Sequence, residues 1–489
     1  MKKNFGRLYD GTLFCYAYLA LTLLSFNPYI YYRSFMRALV AAAAVLGAAA
    51  LAYKLIYFRR YSNAPCFLVA AAFLLSNGIT ALVNAHYGLS ESVQGFLWLA
   101  FQLLILLPRD VTEPKENMLR QLCGLGGFYL AYNALAALIG IVMAFLGIGE
   151  AYHLNPGAIV PRGFVWGRLW GMYTDPNYGA ASVCVSFALC LLFLMRARKK
   201  LMRVLLYLCM ALFYLYIVFS DSRTGIVALA SLAAVYAFCR LYARGRWGKK
   251  TFAAGKRILF ACVLAILISG VAAFGVQGTK KAYNSLVARI YVSQENGGKE
   301  EEPRIDREYD DASDVSNGRL SLWKSGVELF QKAPVFGVGF RNFQAAARVL
   351  APDTYLIQNP QKFLYDAYHN MLVDVTAAQG VVGILAFLAL LICAAVHLIR
   401  ALPRMLKTDS RVNRFAAALL SAIAAVLAES LFISDLFYVN TPTSFMFWLL
   451  LGMLLRLSED IKNADAAQLD EWERVLRLPI RSRGGGDSV

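Results

Sequence analysis

The sequence predicts an all-α integral membrane protein with about twelve transmembrane helices. Of its 489 residues, 59% are hydrophobic and 16% are charged, whereas a soluble globular protein is about 25% charged. Runs of roughly 20 apolar residues can cross a bilayer as helices, because a helix satisfies its own backbone hydrogen bonds. Twelve such runs occur, at 11–32, 36–57, 64–84, 93–108, 121–148, 173–195, 202–219, 224–240, 257–277, 370–398, 412–434 and 441–457.

The first run follows Lys2, Lys3 and Arg7 and lacks a small-residue cleavage site, so we expect a retained helix. Most of the 49 Lys and Arg fall at the N-terminus, in alternate loops and in the tail. This bias follows the positive-inside rule and predicts cytoplasmic termini in the cell membrane. Residues 278–369, between runs nine and ten, are then exoplasmic, as long translocated loops are largely exempt from the rule.

Charge and cysteine usage exclude several other classes of protein. The net charge of +18 is spread over cytoplasmic loop ends, where anionic lipid headgroups explain it better than nucleic acid does. All nine Cys lie in or beside apolar runs, so neither a disulfide framework nor a thiolate metal site is expected. No exoplasmic loop has His and carboxylates at ligand spacing, so we expect no metal and no cofactor.

Four regions follow from the spans: helices one to nine in 1–277, the exoplasmic loop in 278–369, helices ten to twelve in 370–458, and a cytoplasmic tail in 459–489. The stretch at 149–172, rich in Gly and Pro, is interpreted as another exoplasmic loop. The tail carries Trp472, Val475 and Leu476 among charges, which predicts an amphipathic helix.

The long loop divides into two parts by composition. Residues 294–314 are rich in Asp and Glu, which predicts a mobile, solvated tether. Residues 318–350 are amphipathic: Leu320, Trp323, Val327 and Phe330 recur at helical spacing, and Pro334 ends the pattern. We expect these helices to lie at the membrane surface.

Two arginines of this exoplasmic side are candidate anion ligands. Arg223 follows Ser220, Asp221 and Ser222 at the membrane boundary, and its planar, permanently charged guanidinium suits phosphate oxygens. Arg319 opens the amphipathic helix one turn before Trp323, so charge and ring share a face. The structural alternatives are an interfacial Arg paired with Asp221 and a solvated Arg packed over the indole.

His369 lies where the long loop meets the tenth run. A pKa near 6.5 makes His a usable general base. Asp366 precedes it by three residues, so on a helix it would orient the ring. A structural role beside Asn370, at the start of a helix, is the alternative.

The stretch 162–177 supplies further groups. Arg168 and Asn177 can bind a glycan, and the Trp side chains suit either sugar rings or an interfacial belt. Arg341, after Gly339, completes the candidate substrate ligands with Trp323 and Asn370.

In combination, these motifs resemble the O-antigen ligase and polysaccharide polymerase superfamily. The matching features are Arg168 to Asn177, Ser222-Arg223-Thr224-Gly225, Gly318-Arg319 with Trp323, Pro334 to Gly339, His369-Asn370 and Gly380-Val381-Val382-Gly383. The resemblance covers residues 160–385, and the twelve-helix pattern extends it to the ends.

The resemblance implies a metal-independent, inverting membrane glycosyltransferase. Its donor would be an undecaprenyl-diphosphate-linked glycan, with Arg223 and Arg319 holding the diphosphate and His369 deprotonating an acceptor hydroxyl of lipid A core or another cell-surface glycan. The acidic 294–314 stretch departs from the family pattern and would repel a diphosphate if it folded inward, so we expect it to stay outside or to act as a gate.

Three alternatives remain open at this point. A polymerase of lipid-linked repeat units would share the same site residues. A membrane transporter usually carries charges at mid-membrane, whereas here they gather at the exoplasmic edge, with Glu429 near it. A scaffold that recruits other glycan enzymes would leave the Arg and His arrangement without a purpose.

Overall fold

The computed structural model describes residues 11–110, 112–155, 158–244, 246–247, 250–251, 253–292, 304–306, 316–360, 364–407 and 409–477. The chain is an all-α integral membrane protein. Its helices up to residue 244 are α1 (Thr12–Ser25), α2 (Phe35–Ile56), α3 (Phe58–Tyr61), α4 (Phe67–Val83), α5 (Ala85–Phe101, continued by a π-helical turn Gln102–Leu106), α6 (Lys115–Phe145), α7 (Pro176–Arg196), α8 (Lys200–Ser220) and α9 (Arg223–Arg244).

The later helices belong to span nine, to the long loop and to the last three spans. They are α10 (Ala254–Val292), α11 (Arg319–Lys332), a 3₁₀ turn (Phe340–Asn342), α12 (Phe343–Leu350), α13 (Tyr355–Gln358), α14 (Met371–Met405), α15 (Arg411–Glu429), α16 (Pro442–Lys462) and α17 (Ala466–Arg477).

Each of the twelve predicted apolar runs coincides with a helix. Among the described residues, nine helices are long and apolar enough to cross a bilayer: α2, α5 with its π-helical turn, α6, α7, α8, α9, α10, α14 and α15. Helices α1 and α4 are shorter apolar helices. Helix α16 is buried along nearly its whole length and forms the centre of the bundle.

The stretch after α6 is a small antiparallel sheet and not the irregular loop that its composition suggested. Strands β1 (Gly149–Asn155), β2 (Ala158–Val165) and β3 (Arg168–Gly171) pair in that order. Trp166 and Gly167 join β2 to β3 with φ of 54° and 64°, the backbone of a tight two-residue hairpin. A second hairpin pairs β4 (Arg246–Trp247) with β5 (Lys250–Thr251).

Helix α10 continues past the predicted boundary at 277 to Val292. Its polar extension makes specific contacts: the Lys280 ammonium lies 2.8 Å from the Asp221 carboxylate, and the Asn284 side chain bonds both backbone groups of Ile305. Most of the predicted acidic tether lies outside the described residues. Its segment 304–306 is docked, because Ile305 is fully buried and the Asp306 N–H donates to the Gly167 carbonyl.

Helix α14 is broken at Gly380, which has φ 64° and ψ −158°. The segment 334–339 fills this break with its backbone. The Val338 and Gly339 N–H groups donate to the Ala377 and Ala378 carbonyls, and the Val381 and Val382 N–H groups donate to the Pro334 and Val335 carbonyls. The two glycine motifs of the sequence are therefore two halves of one backbone contact.

Polar residues of α4 complete this contact within the bundle. Thr80 donates to the Phe336 carbonyl at 2.8 Å, and Asn84 donates to the Gly337 carbonyl at 3.0 Å. Ser76 donates to Gln379 beside the break. Irregular backbone at membrane depth is tolerated only where protein satisfies its polar groups, and these side chains do so.

Helix α11 packs directly on the start of α14. A Cβ at Gly326 would lie 2.3 Å from Val373 Cγ1 and 3.1 Å from the Tyr368 ring, so only glycine allows this approach. Arg319 precedes Gly326 by seven residues, two helical turns, and lies on the same side of α11. Close packing therefore carries Arg319 towards the loop before α14.

The tail forms α17, whose Trp472, Val475 and Leu476 are buried. It contacts α6, α15 and α16. The remainder of the predicted tail, residues 478–489, lies outside the described part of the chain.

Gly380→Ala is expected to destabilise the protein by about 1–3 kcal/mol, the usual cost of a strained left-handed residue. The added Cβ would also lie 2.4 Å from the Val335 carbonyl oxygen. Thermal unfolding of the detergent-purified protein measures this.

Gly278→Ala is the matched control, because nothing lies within 4 Å of its Cβ position on α10. An equal loss of thermal stability in both variants would show that the α14 break is not under backbone constraint.

Candidate functional site

The polar site is assembled around the N-terminus of α7. Asp175 caps this helix by accepting from the Asn177 N–H at 2.6 Å, and Pro176 occupies its first turn. The Asn177 side-chain oxygen then accepts from the hydroxyls of Ser222 at 2.8 Å and Thr224 at 3.2 Å. The start of α7 is thereby joined to the turn between α8 and α9.

Arg223 lies between those two hydroxyls, at the first residue of α9, and is exposed. Asp221 makes the turn before it with φ 46° and pairs with Lys280 of α10. The ion pair with Lys280 gives the Asp221 carboxylate a partner on α10. The hydrogen bonds of Ser222 and Thr224 to Asn177 fix the backbone on either side of Arg223.

Arg168 lies on β3 and reaches the same turn. Its Nε donates to the Ser220 carbonyl at 2.9 Å, and its Nη2 lies 3.5 Å from the Asn177 oxygen. Asn177 thus receives three donors, from Ser222, Thr224 and Arg168. It is a positioning residue for the two arginines.

His369 is half-buried in the loop before α14 and has φ 53°, a left-handed backbone. The residue before it, Tyr368, is fully buried and donates its N–H to the Asp374 carboxylate at 2.8 Å. The other Asp374 oxygen accepts from Ser434. Asp374 therefore fixes the loop that presents the imidazole.

The charges around His369 come from two other elements. Burial and the nearby Arg319 guanidinium lower the pKa of His369 from 6.5 to about 4, while the Asp175 carboxylate acts in the opposite direction. Arg319 of α11 and Asp175 of the α7 cap therefore both lie within electrostatic range of the ring. The imidazole is neutral at neutral pH, the form that accepts a proton.

Arg319 is half-buried and follows Gly318, which has φ 78° and packs against the Tyr355 hydroxyl. Trp323, one turn later, lies 6.4 Å from the Phe432 ring. The Trp166 and Trp170 rings, which flank Arg168 in the sequence, meet edge to face at 5.9 Å. Aromatic rings thus accompany both Arg168 and Arg319.

Three of the predicted site residues, Arg341, Asn370 and Asp366, have surroundings in the fold that the sequence did not predict. Arg341 lies beside Gly95 and Glu91 of α5. Asn370 caps α14 by accepting from the Leu372 and Val373 N–H groups and donates to the Leu431 carbonyl, so its amide is used within the fold.

Asp366 is exposed, and residues 364–370 form no helix. The expected helical alignment of Asp366 with His369 is therefore absent. The carboxylates that the structure places near the His369 loop are Asp175 and Asp374. Asp175 lies 194 positions before His369 in the sequence. Spacing of that length carries no contact information, so only the fold brings the two residues together.

An apolar cavity of about 690 Å³ opens along α9, between α7, α8, α10 and α15. Its lining includes Leu191, Tyr214, Leu232, Ala233, Tyr236 and Ala272. Leu229, also in the lining, follows Arg223 by six residues, about 9 Å along a helix. The lining runs along α9 from Leu229 to Arg240 and Arg244 and also includes Arg414 of α15, so the end of the cavity away from Arg223 is basic.

Comparison with known protein families gives one match. Residues 208–388, which run from α8 into α14, match the family model described as O-Antigen ligase. This match supports membership of the O-antigen ligase superfamily. The matched stretch contains Arg223, Arg319 and His369, whereas Arg168 and Asn177 precede it. No curated protein matches the chain significantly.

The match to the O-antigen ligase model over residues 208–388 supports a ligase- or polymerase-like function in a membrane. It suggests an enzyme of glycosyl transfer and implies lipid-linked glycan substrates. Together with the apolar helices, it indicates an integral membrane protein.

Arg319→Gln is expected to raise the pKa of His369, because it removes the positive charge that disfavours the imidazolium. Burial, the larger cause, stays, so the pKa remains below 6.5. The pH dependence of His369 modification by diethyl pyrocarbonate, followed by peptide mass spectrometry, measures this.

Arg341→Gln is the control and should leave the His369 profile unchanged, since Arg341 lies against α5. A profile that is the same in wild type and Arg319→Gln would mean that the two side chains do not interact.

Proposed function

We propose that the chain transfers a glycan from undecaprenyl diphosphate to an acceptor hydroxyl, with inversion and without a metal ion. The observation that carries this proposal is the grouping of a neutral imidazole with arginines from separate elements. His369 lies within range of Arg319 and of Asp175, and Asp175 belongs to the helix cap that binds the Arg223 turn.

The diphosphate leaving group gains negative charge as the bond to the anomeric carbon breaks. Arg223 and Arg319 are the groups that stabilise it, because guanidinium ions keep their charge at any working pH and match phosphate oxygens. Arg168, held by the Ser220 carbonyl beside Asn177, is a further contact to the donor.

His369 is the general base that takes the proton of the acceptor hydroxyl. In the free protein, burial and, to a smaller extent, the Arg319 charge keep the pKa of His369 low. A bound diphosphate would offset that charge and raise the pKa, so the base would strengthen when the donor is in place. Attack of the hydroxyl from the face opposite the diphosphate inverts the anomeric carbon.

The cavity along α9 fits the apolar chain of the donor. Its volume of about 690 Å³ lies in the range of roughly 300–1,000 Å³ typical of ligand pockets. The polar head would stay at Arg223 and the prenyl chain would enter between α8, α9 and α10. Trp166, Trp170 and Trp323 offer ring faces to the sugars.

Purified protein incubated with a lipid-linked oligosaccharide and a glycan acceptor tests the reaction. His369→Ala is expected to lower kcat by about 100-fold or more, the usual contribution of a general base. Arg223→Ala and Arg319→Ala should lose a similar factor through the leaving group.

Arg59→Ala is the control, because Arg59 is exposed at the end of α2 and α3 remote from the site. Full activity in the His369, Arg223 and Arg319 variants would refute the mechanism. Lipid-linked chains that grow in length identify a polymerase, whereas transfer to a separate acceptor identifies a ligase.

Ala233→Phe is expected to raise the KM for a donor with a full-length prenyl chain several-fold, because the ring would fill the cavity. The KM for a donor with a shortened chain should change less. Ala42→Phe on the exposed face of α2 is the matched control. Equal effects on both donors would show that the chain binds elsewhere.

A further inference from the structure

Three metal-ligating residues from two helices meet at the end of the bundle opposite the candidate site. Cys66 precedes α4, and Cys393 and His397 lie one turn apart on α14. Their sulfur and nitrogen donor atoms all lie within 4.8 Å of one another. We propose that Cys66, Cys393 and His397 bind a zinc ion.

The ligand set favours zinc among common metals. Thiolate and imidazole donors suit zinc and Cu(I), whereas magnesium and calcium prefer oxygen. Two thiolates and a neutral imidazole exactly balance the charge of Zn²⁺ in this site, so the complex is neutral. Neutrality matters beside a bilayer, because burial of net charge is costly.

The geometry requires little adjustment. Tetrahedral zinc with bonds of about 2.3 Å to sulfur and 2.0 Å to nitrogen needs donors roughly 3.5–4 Å apart. Donors within 4.8 Å reach that spacing by small side-chain rotations. Cys66 and Cys393 are reduced in this structure, so both sulfurs are available.

A carboxylate lies beside the histidine. His397 Nδ1 lies 3.5 Å from Glu459 Oε2 of α16, and Lys462 holds the other Glu459 oxygen at 2.6 Å. Oε2 is buried and has no hydrogen-bond partner in the described part of the chain. Metal-binding histidines commonly direct one ring nitrogen to such a carboxylate, which leaves Nε2 for the zinc.

The backbone of Cys66 has a strained conformation that fits a residue held in place by its contacts. Cys66 has φ 63°, a left-handed conformation that a non-glycine residue rarely adopts. The ion would join α4 to α14 at the end of α4 away from the hydrogen bond between Ser76 and Gln379.

This site reverses the expectation, drawn from the sequence, that the cysteines in apolar runs bind no metal. The spacing of Cys393 and His397 was visible, but Cys66 is more than 300 positions away and only helix packing adds it.

Metal analysis of the full-length protein tests the proposal. The detergent-purified protein is dialysed with zinc and then freed of loosely bound ions, and we expect about one zinc per chain. Cys393→Ser and His397→Ala should lose it. Cys262→Ser and His153→Ala, which alter a cysteine and a histidine elsewhere, should keep it.

A second measurement uses only the wild-type protein and so does not depend on the folding of a variant. Zinc should slow alkylation of Cys393 by N-ethylmaleimide, and a chelator should restore the rate, as read by peptide mass spectrometry. Absence of zinc from wild type, an equal zinc content in all variants, or a Cys66 to Cys393 disulfide in reducing buffer would overturn the proposal.

Discussion

Backbone hydrogen bonds between the segment 334–339 and the broken helix α14 are the constraint on which the rest of the site depends. Four N–H groups, of Val338, Gly339, Val381 and Val382, are satisfied only across this contact. Unpaired backbone groups are costly within a bilayer, so the two segments stay together. Helix α11 ends at Lys332, directly before the segment 334–339. The contact of that segment with α14 therefore also keeps α11 packed against the start of α14.

Several residues with a left-handed backbone lie near the side chains of the candidate site. Among the described non-glycine residues with positive φ, Trp166, Asp221, Asn317 and His369 lie at or beside the candidate site. Such backbone persists only where surrounding contacts fix it. Here the contacts are the β2–β3 hairpin, the Asp221–Lys280 pair and the Asp374 bond to Tyr368.

The candidate site combines permanent cations with a neutral imidazole. Burial lowers the pKa of His369, and the charge of Arg319, which cannot release its proton, lowers it further. The Asp175 carboxylate acts in the opposite direction and raises the pKa of His369. The same carboxylate caps α7 by accepting from the Asn177 N–H. A bound anionic donor would offset the Arg319 charge and so raise the pKa of His369. In the proposed mechanism, donor binding thus makes the imidazole a stronger base.

The sequence by itself determined the membrane class, all twelve apolar helices and the family-like motifs, because apolar length and residue type are local properties. It missed the sheet at 149–171, whose short strands lack a clear alternation, and the extension of α10 to Val292. Only the tertiary structure decided that Asp175 lies within electrostatic range of His369, that Asp374 binds the backbone of Tyr368, that Asn370 caps a helix and that Cys66 meets Cys393. These are contacts between distant segments, and packing of helices, not spacing along the chain, sets them.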